Sequence, residues 1–165
     1  MPTLKLFIVG LPQSGKTEFI KSVSDFPLQL VEKKIVRSEE LVNIDYGRAY
    51  VGRSMVYLYA PAQDTRIKFL WESLHEEMHG FILLVDITSP NSSSASVPLY
   101  KGLTEISDNP HVVAYTKVDI HDAILPALEF ENIPLTTPHK ITTCICTRKV
   151  SVRKVIQTWL SVLPR

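Results

Sequence analysis

The sequence predicts an α/β fold in three layers, in which a mostly parallel sheet carries helices on both faces. Three observations favour this fold. A glycine-rich turn joins the first strand-like run to a helix-like run, strand-like and helix-like runs alternate afterwards, and two strand-like runs are continuously apolar. A chain of 165 residues with 45% hydrophobic residues has the size of one domain, so we expect residues 1–165 to form a single domain.

The first strand and the first helix flank a predicted phosphate-binding loop. The apolar run of residues 4–9 ends at Gly10, and the spacing G-x-x-x-x-G-K-T continues to Thr17, where a helix-like run to residue 24 begins. In such a loop Lys16 adds positive charge toward β- and γ-phosphates, and the Thr17 hydroxyl can ligate Mg²⁺. Pro12 carries no N–H, so the expected phosphate donors are the amides of Gln13, Ser14, Gly15, Lys16 and Thr17.

The next part of the chain predicts a long exposed loop and then a hairpin. Residues 25–40 are mixed in charge and have no sustained period, which is typical of a mobile loop. Residues 41–50 and 54–60 are strand-like and flank Val51-Gly52-Arg53, which predicts an antiparallel hairpin around a glycine turn. Residues 55–59 alternate in size more than in polarity, so we expect both faces of that strand to be covered.

The remaining elements alternate between helices and strands. A helix is predicted over residues 65–78 from the apolar stripe of Ile67, Leu70, Trp71 and Leu74. The apolar runs 80–86 and 111–117 predict central parallel strands, and 141–146 predicts a weaker third one. A serine-rich cap precedes a helix that ends near residue 106, and a last amphipathic helix covers 149–160. Ligands of such sheets bind at the carboxyl ends of the strands.

Charge and cysteine content restrict the environment and the partners. Eighteen Lys and Arg oppose 17 Asp and Glu, and a net charge of +1 gives no global field that would attract nucleic acid, so we expect no nucleic-acid partner. Cys144 and Cys146 are too close in sequence for an ordinary disulfide and lack zinc spacing, which favours a reducing, cytoplasmic setting. No run has membrane-spanning length and no lipidation box is present, so we expect no intrinsic membrane anchor.

A second binding motif follows the later of the two apolar strands. Thr116-Lys117-Val118-Asp119 resembles the [N/T]-K-x-D base-recognition motif of the small GTPases. A carboxylate at Asp119 can accept two hydrogen bonds from guanine, one from N1–H and one from the 2-amino group, and adenine offers no such pair. The stem of Lys117 can lie over the purine face. The alternative is an ordinary turn at a strand end with solvated charges.

Most of the chain resembles the small GTPase superfamily of Ras-like P-loop GTPases, most closely its bacterial Arf/MglA-like branch. The matching segments are Val42-Asn43-Ile44-Asp45-Tyr46-Gly47 and Leu58-Tyr59-Ala60-Pro61-Ala62-Gln63. The resemblance implies the small G-protein fold of P-loop NTPases, with GTP or GDP and Mg²⁺ as cofactors. It also implies that Gln63 is the catalytic residue that orients the attacking water. Residues 25–41 and 60–68 would be the switches at which a protein effector or activating protein binds.

The chain departs from the superfamily pattern at several positions. Tyr59 stands where most members have an Asp that holds Mg²⁺ through water, and Ala62 replaces a Gly whose N–H meets the γ-phosphate. No threonine stands just before Val42 as the usual sensor of Mg²⁺ and γ-phosphate, and a backbone amide at Cys146 or Thr147 would bind guanine O6. We therefore expect a GTP/GDP switch with slow hydrolysis. A catalytic arginine would come from a partner or from Arg37, Arg48, Arg53 or Arg66.

Two alternatives stay open. The first alternative to the GTP/GDP switch is a nucleotide-binding interaction module without turnover. The second, less favoured, is a small ATP-dependent kinase in which Asp86 holds Mg²⁺. The base motif and the lack of an arginine-rich lid segment oppose the kinase, and a GTPase would use Asp86 structurally. Asp45 is either a residue of switch chemistry or, the interpretation that we favour, the sheet-edge residue of this branch. The five histidines are scattered, so we expect them at the surface or at strand ends.

Overall fold

The computed structural model describes residues 2–35, 39–62, 66–89, 91–119 and 137–164. Strands and helices follow one another along these ranges. The strands are β1 (Thr3–Gly10), β2 (Gln29–Lys34), β3 (Leu41–Val51), β4 (Ser54–Pro61), β5 (Gly80–Asp86), β6 (His111–Thr116) and β7 (His139–Cys144). The helices are α1 (Lys16–Val23), α2 (Ile67–Leu74), α3 (Ser92–Ile106) and α4 (Lys149–Val162).

The strands form one sheet with the order β2-β3-β4-β1-β5-β6-β7. The pairs β2/β3 and β3/β4 are antiparallel, and every other neighbouring pair is parallel. In register, Gly10 lies beside Leu84, and Asp86 lies beside Thr116. The carboxyl ends of β1, β5 and β6 therefore lie along the same edge of the sheet, where a doubly covered α/β fold binds its ligands. The predicted fold class, a three-layer P-loop NTPase architecture, is confirmed.

Each face of the sheet has its own hydrophobic core. Helices α1 and α4 cover one face, where Trp159 and Phe19 are fully buried. Helices α2 and α3 cover the other face, where the rings of Phe7 and Trp71 stack with their centroids 5.5 Å apart. Burial of the central strands β1, β5 and β6 on both faces explains why they read as continuous apolar runs. These strands hold the loops at their carboxyl ends in place.

The structure corrects three of the expectations for local structure. Residues 25–40 are not a loop throughout, because β2 forms the edge of the sheet beside β3. Its polar residues conceal it, since an edge strand with little burial shows no apolar alternation. Strand β4 is not covered equally on both faces: alternate residues are fully buried, whereas Tyr57 and Tyr59 are only partly buried. Helix α2 ends at Leu74, earlier than the end predicted at residue 78.

No helix within the described ranges is both long enough and apolar enough to cross a membrane.

Histidine placement follows the expectation only in part. His111 begins β6 and is thus at a strand end, but its side chain is completely buried. Its Nε2 lies 2.6 Å from the Tyr100 hydroxyl, and its ring stacks on Phe81 at 4.6 Å between centroids. Because a charged imidazolium is poorly solvated there, burial lowers the pKa of His111 to about 4.

We predict that His111 makes folding stability fall between pH 6.5 and pH 4. Over this window the unfolded chain binds a proton at this residue that the folded chain does not, so the free energy of unfolding decreases as the pH drops, by up to about 3 kcal/mol. Urea unfolding of the unaltered chain and of the double variant Tyr100→Phe/His111→Phe at several pH values tests this. The variant removes both side chains of the Tyr100–His111 pair and retains His139. Parallel pH profiles of the two proteins would contradict the prediction.

Candidate functional site

The loop between β1 and α1 is held in a tight curl by its two glycines. A Cβ on Gly10 would lie 2.3 Å from Ser14 Oγ and 2.7 Å from the Leu84 carbonyl oxygen, so the loop can fold back onto β5 only without a side chain there. Gly15 has a φ of 109°, a left-handed conformation that favours glycine, and a Cβ there would lie 3.0 Å from Cys146 Sγ. Both glycines of the motif are thus required by the geometry.

The curl presents the amino end of α1 to a cavity of about 350 Å³. The first N–H groups of any helix lack acceptors within the helix, and with the helix dipole they favour an anion at this end. The cavity is lined by the five residues predicted to bind phosphate and by four others: Gln13, Ser14, Gly15, Lys16, Thr17, Glu18, Pro61, Ala62 and Lys117. Within the described ranges the buried Ser14 Oγ has no hydrogen-bond partner, so a ligand oxygen at this loop would satisfy it.

Lys16 carries its charge into the curl of this loop. Its side chain is buried, and Nζ donates hydrogen bonds to the carbonyl oxygens of Gly10 at 3.0 Å and Leu11 at 3.1 Å. These bonds hold the ammonium group at the loop, where its positive charge attracts a phosphate that enters the cavity.

A second cavity of about 210 Å³ adjoins the first. It is formed by the ends of β6 and β7 together with the loop and the start of α1. Its lining includes every residue predicted to bind the base, namely Thr116, Lys117, Asp119, Cys146 and Thr147. The other lining residues are Ser14, Gly15, Glu18 and Ile145. The two cavities share Ser14, Gly15, Glu18 and Lys117, so they lie side by side at the carboxyl edge of the sheet.

Hydrogen bonds fix the second cavity against the loop. Thr116 Oγ1 donates to the Ser14 carbonyl oxygen at 3.0 Å, and the Ser22 hydroxyl of α1 donates to the Cys146 carbonyl oxygen. Lys117 adopts a positive φ of 61°, and its Nζ donates to Asp86 Oδ2 at 2.7 Å. The end of β6 is therefore attached to the loop through Thr116 and to the end of β5 through Lys117.

Asp86 acts as the anchor of Lys117. Its Oδ1 accepts hydrogen bonds from the Thr88 amide at 2.8 Å and from the Thr88 hydroxyl at 2.6 Å. Burial by itself would raise the pKa of Asp86, but the hydrogen bonds from Lys117 and Thr88 outweigh it and lower that pKa. Asp86 lines a third cavity, with Leu11 and the start of α3. One carboxylate oxygen of Asp86 thus holds Lys117, and the other holds Thr88.

The two cysteines pack beneath the loop as thiols. Cys144 and Cys146 are buried, and their sulfur atoms lie 3.9 Å apart. The hydrogen bond with Cys144, together with burial, raises the pKa of the Cys146 thiol. Cys146 Sγ fills the space beside Gly15. Among the described residues no group of three or more His, Cys, Asp and Glu side chains can hold a metal ion by itself.

Thr17, which lines the first cavity, lies next to the carboxylate of Asp45, the residue interpreted from the sequence as part of the sheet edge. Thr17 Oγ1 donates to Asp45 Oδ2 at 3.0 Å, although the two residues are 28 positions apart. Hydroxyl and carboxylate oxygens are the donors that Mg²⁺ prefers in proteins, and it completes its coordination with water and substrate phosphates. The oxygen atoms of Thr17 and Asp45 at the cavity rim therefore fit this ion.

The positions that depart from the superfamily pattern have distinct environments. The Tyr59 ring lies 5.2 Å from that of Tyr46, among residues of the α2 side of the sheet. Burial and the neighbouring tyrosines raise the pKa of Tyr59 to about 12, so it carries no charge at neutral pH. The Ala62 amide donates to the Asn43 carbonyl oxygen at 3.0 Å and extends the β3/β4 pairing. Gln63 lies outside the described residues.

Comparison with known proteins gives weak but consistent similarity. No protein-family profile matches the chain. ADP-ribosylation factor-like protein 13B of Caenorhabditis elegans is 24% identical over 110 residues, which is 66% of this chain and 27% of that protein. ADP-ribosylation factor-related protein 1 of Bos taurus is 24% identical over 123 residues, which is 72% of this chain and 61% of that protein. The chain thus spans less than two thirds of the length of these relatives. The similarity supports the small GTPase superfamily, while the bacterial branch stays a prediction.

We predict that Gly10→Ala opens the loop. The added Cβ would clash with Ser14 Oγ and with the Leu84 carbonyl oxygen, and overpacking of this kind costs about 1–3 kcal/mol of folding stability. The variant should also lose any thermal stabilisation by pyrophosphate, which is a probe of the loop alone. Gly52→Ala is a matched control, because a Cβ there meets no heavy atom within 4 Å and its cost comes from φ alone. Equal pyrophosphate shifts in both variants would contradict the prediction.

Proposed function

We propose that this protein binds guanine nucleotides and acts as a small GTPase-like switch between GTP- and GDP-bound forms, with slow intrinsic hydrolysis. The observation that carries the proposal is that the two cavities lie side by side and share Ser14, Gly15 and Lys117 in their walls. One end has the anion-binding features of a phosphate loop, and Asp119 lines the other. A nucleotide has the same division into an anionic end and a hydrogen-bonding base.

The base end favours guanine over adenine. The Asp119 carboxylate accepts from N1–H and from the 2-amino group of guanine, and adenine lacks this pair of donors. Lys117 is held by Asp86, so that its stem forms a wall shared by both cavities and covers one face of the purine. A backbone amide of Cys146 or Thr147, which line the same cavity, is the proposed donor to guanine O6.

The phosphate end uses the loop amides from Gln13 to Thr17 and the charge of Lys16. When a nucleotide enters, Lys16 Nζ exchanges its bonds to the Gly10 and Leu11 carbonyls for phosphate oxygens, a stronger charge-assisted interaction. Mg²⁺, when bound, would neutralise charge on the β- and γ-phosphates, and Thr17 is the proposed ligand from this chain. Ser14 lines both cavities, so it lies where the phosphate end of the site meets the base end.

Slow hydrolysis follows from the contacts that this chain supplies less well. Phosphoryl transfer is catalysed by positioning and by charge stabilisation, so each missing contact raises the barrier. The Ala62 amide is engaged with Asn43 and must leave that bond to reach a γ-phosphate. Tyr59 is neutral and brings no carboxylate to the site. Gln63, proposed from the sequence to orient water, would act with little support.

The arginine candidates are separated by their places in the fold. Arg53 lies in the turn at the amino end of β4, and the eight residues of β4 span roughly 26 Å to its carboxyl end near the loop. The Arg48 guanidinium lies over two aromatic rings, those of Phe26 at 5.3 Å and Tyr50 at 5.5 Å. Arg66 precedes α2 and forms an ion pair with Glu40. Of these three, Arg66 is the one that lies within the proposed second switch, and the fourth candidate, Arg37, lies outside the described residues.

The structure also bears on the alternatives and on partners. An ATP-dependent kinase would need Asp86 for Mg²⁺, but both oxygens of that carboxylate hold Lys117 and Thr88. An interaction module without turnover has the same nucleotide site and differs only in its rate. The Glu40–Arg66 ion pair links the two proposed switches, residues 25–41 and 60–68, which we propose as the surface for an effector or activating protein.

We predict that Asp119→Ala abolishes base selectivity without unfolding the chain. The unaltered protein should bind GDP and GTP in preference to ATP, and losing the paired hydrogen bonds should cost about 2–4 kcal/mol, or one to three decades of affinity for guanine nucleotides. Displacement of a fluorescent GDP analogue by GDP, GTP and ATP measures this. Glu105→Ala, an exposed carboxylate on α3, is the control and should leave the selectivity unchanged. Equal competition by ATP on the unaltered protein would overturn the guanine assignment.

We predict that single-turnover GTP hydrolysis is slower than about 10⁻⁴ s⁻¹, the order of an intrinsic small GTPase rate. The measurement follows phosphate release from preloaded GTP with and without Mg²⁺. Gln63→Leu tests the proposed water-positioning residue, and Gln157→Leu, on the exposed side of α4, controls for the substitution itself. A rate at or above that value which only Gln63→Leu abolishes would show that the altered switches are competent and would contradict slow hydrolysis.

A further inference from the structure

The β4 strand supplies no acid to a cation at the loop, because Tyr59 points its ring to the opposite face of the sheet. Tyr59 pairs in register with Tyr46 of β3, and the two rings pack together on the α2 side. Side chains alternate between faces along a strand, so the neighbours of this pair, Asp45 and Ala60, face α1. The acidic side chain on the α1 face is therefore that of Asp45 on β3, one residue before Tyr46.

Asp45 is brought to the rim of the first cavity by the close packing of α1 on β3. A Cβ on Gly47 would lie 2.5 Å from Ile20 Cγ2, so the glycine allows α1 to approach the strand closely. The Arg48 amide donates to Ser24 Oγ at 3.2 Å, just beyond the carboxyl end of α1. Thr17 and Ser24 are roughly 10 Å apart along a helix, and Asp45 and Arg48 are roughly 10 Å apart along a strand. This match of lengths places Thr17 beside Asp45.

The direction of the Thr17–Asp45 hydrogen bond matters for a cation. A hydroxyl has one hydrogen and two lone pairs, and here the hydrogen is donated to Asp45 Oδ2 at 3.0 Å. The lone pairs of Thr17 Oγ1 are then available to a ligand, and a negative charge lies directly behind them. Carboxylates that hydrogen-bond to a metal ligand orient it and increase its basicity.

We infer that Asp45 is a cation-positioning residue: its carboxylate orients the Thr17 hydroxyl toward a divalent cation at the phosphate end and supplies the negative charge that β4 lacks. The inference rests on the proposed function, since the cation would enter with a nucleotide. It assigns to β3 a role that the sequence pattern places on β4. The competing explanation is that the bond only attaches the start of α1 to the sheet.

The experiment separates the two explanations by the Mg²⁺ dependence of GDP release. The chain is loaded with a fluorescent GDP analogue, and dissociation is followed in EDTA and over a range of Mg²⁺ concentrations. Asp45→Asn keeps an oxygen that accepts the Thr17 hydrogen but removes the charge. We expect the Mg²⁺ concentration for half-maximal slowing to rise about tenfold, and up to a hundredfold for Asp45→Ala, while release in EDTA from Asp45→Asn is unchanged or slower.

Glu105→Gln is the matched control, because Glu105 is an exposed carboxylate of α3 and lies outside both proposed switches. Its Mg²⁺ dependence should equal that of the unaltered chain, and thermal unfolding verifies that each variant is folded. The same half-maximal Mg²⁺ concentration for Asp45→Asn and the unaltered chain would overturn the inference alone. Faster release from Asp45→Asn in EDTA as much as in Mg²⁺ would do the same and favour the structural explanation. Failure of the unaltered chain to bind GDP would overturn the proposed function and this inference with it.

Discussion

The candidate site depends on one hydrogen bond, from Thr116 Oγ1 to the carbonyl oxygen of Ser14. Both atoms are buried, and a carbonyl that lost this donor would be left without compensation in a poorly solvated place. The bond joins the loop after β1 to the end of β6, so the cavities on either side of it keep a fixed spacing. The side chain of Cys146, which fills the space beside Gly15, supports the same contact from β7.

Sequence alone predicts the parts of this arrangement that depend on local geometry. Gly10 and Gly15 sit at the spacing that a curled loop requires, and the central strands are recognisable because burial on both faces makes them uniformly apolar. Thr116 is the last residue of such a strand, and Asp119 follows it three positions later. Their proximity to the loop is then a consequence of parallel strands that end at a common edge. These features needed no information about tertiary contacts beyond the fold class.

What sequence could not provide depends on which face of a strand meets which helix. Strand β2 was missed because an edge strand with mostly solvated side chains has no apolar alternation. The contact between Asp45 and Thr17 could not be predicted, because the two residues are 28 positions apart and meet only when α1 packs against Gly47. The partner of Lys117 was also not evident, since the pairing with Asp86 follows from the β5/β6 register. Alternation along β3 was the available signal, but it does not by itself say which face carries α1.

Strand β3 serves both faces of the sheet near the site, and this makes the two unusual residues of the hairpin compatible with each other. On one face Tyr46 packs with Tyr59, and an ionised side chain at position 59 would be buried among these rings at a high desolvation cost. On the other face Asp45 lies at the cavity rim, where it is half-buried and bonded to Thr17. Because Asp45 on β3 brings an acid to this side of the site, position 59 on β4 does not need to supply one, and Tyr59 can pack with Tyr46 on the opposite face. Since the Ala62 amide is bonded to Asn43 on the same strand, a shift of β3 relative to β4 would act on the Thr17 contact and on the start of the second switch together.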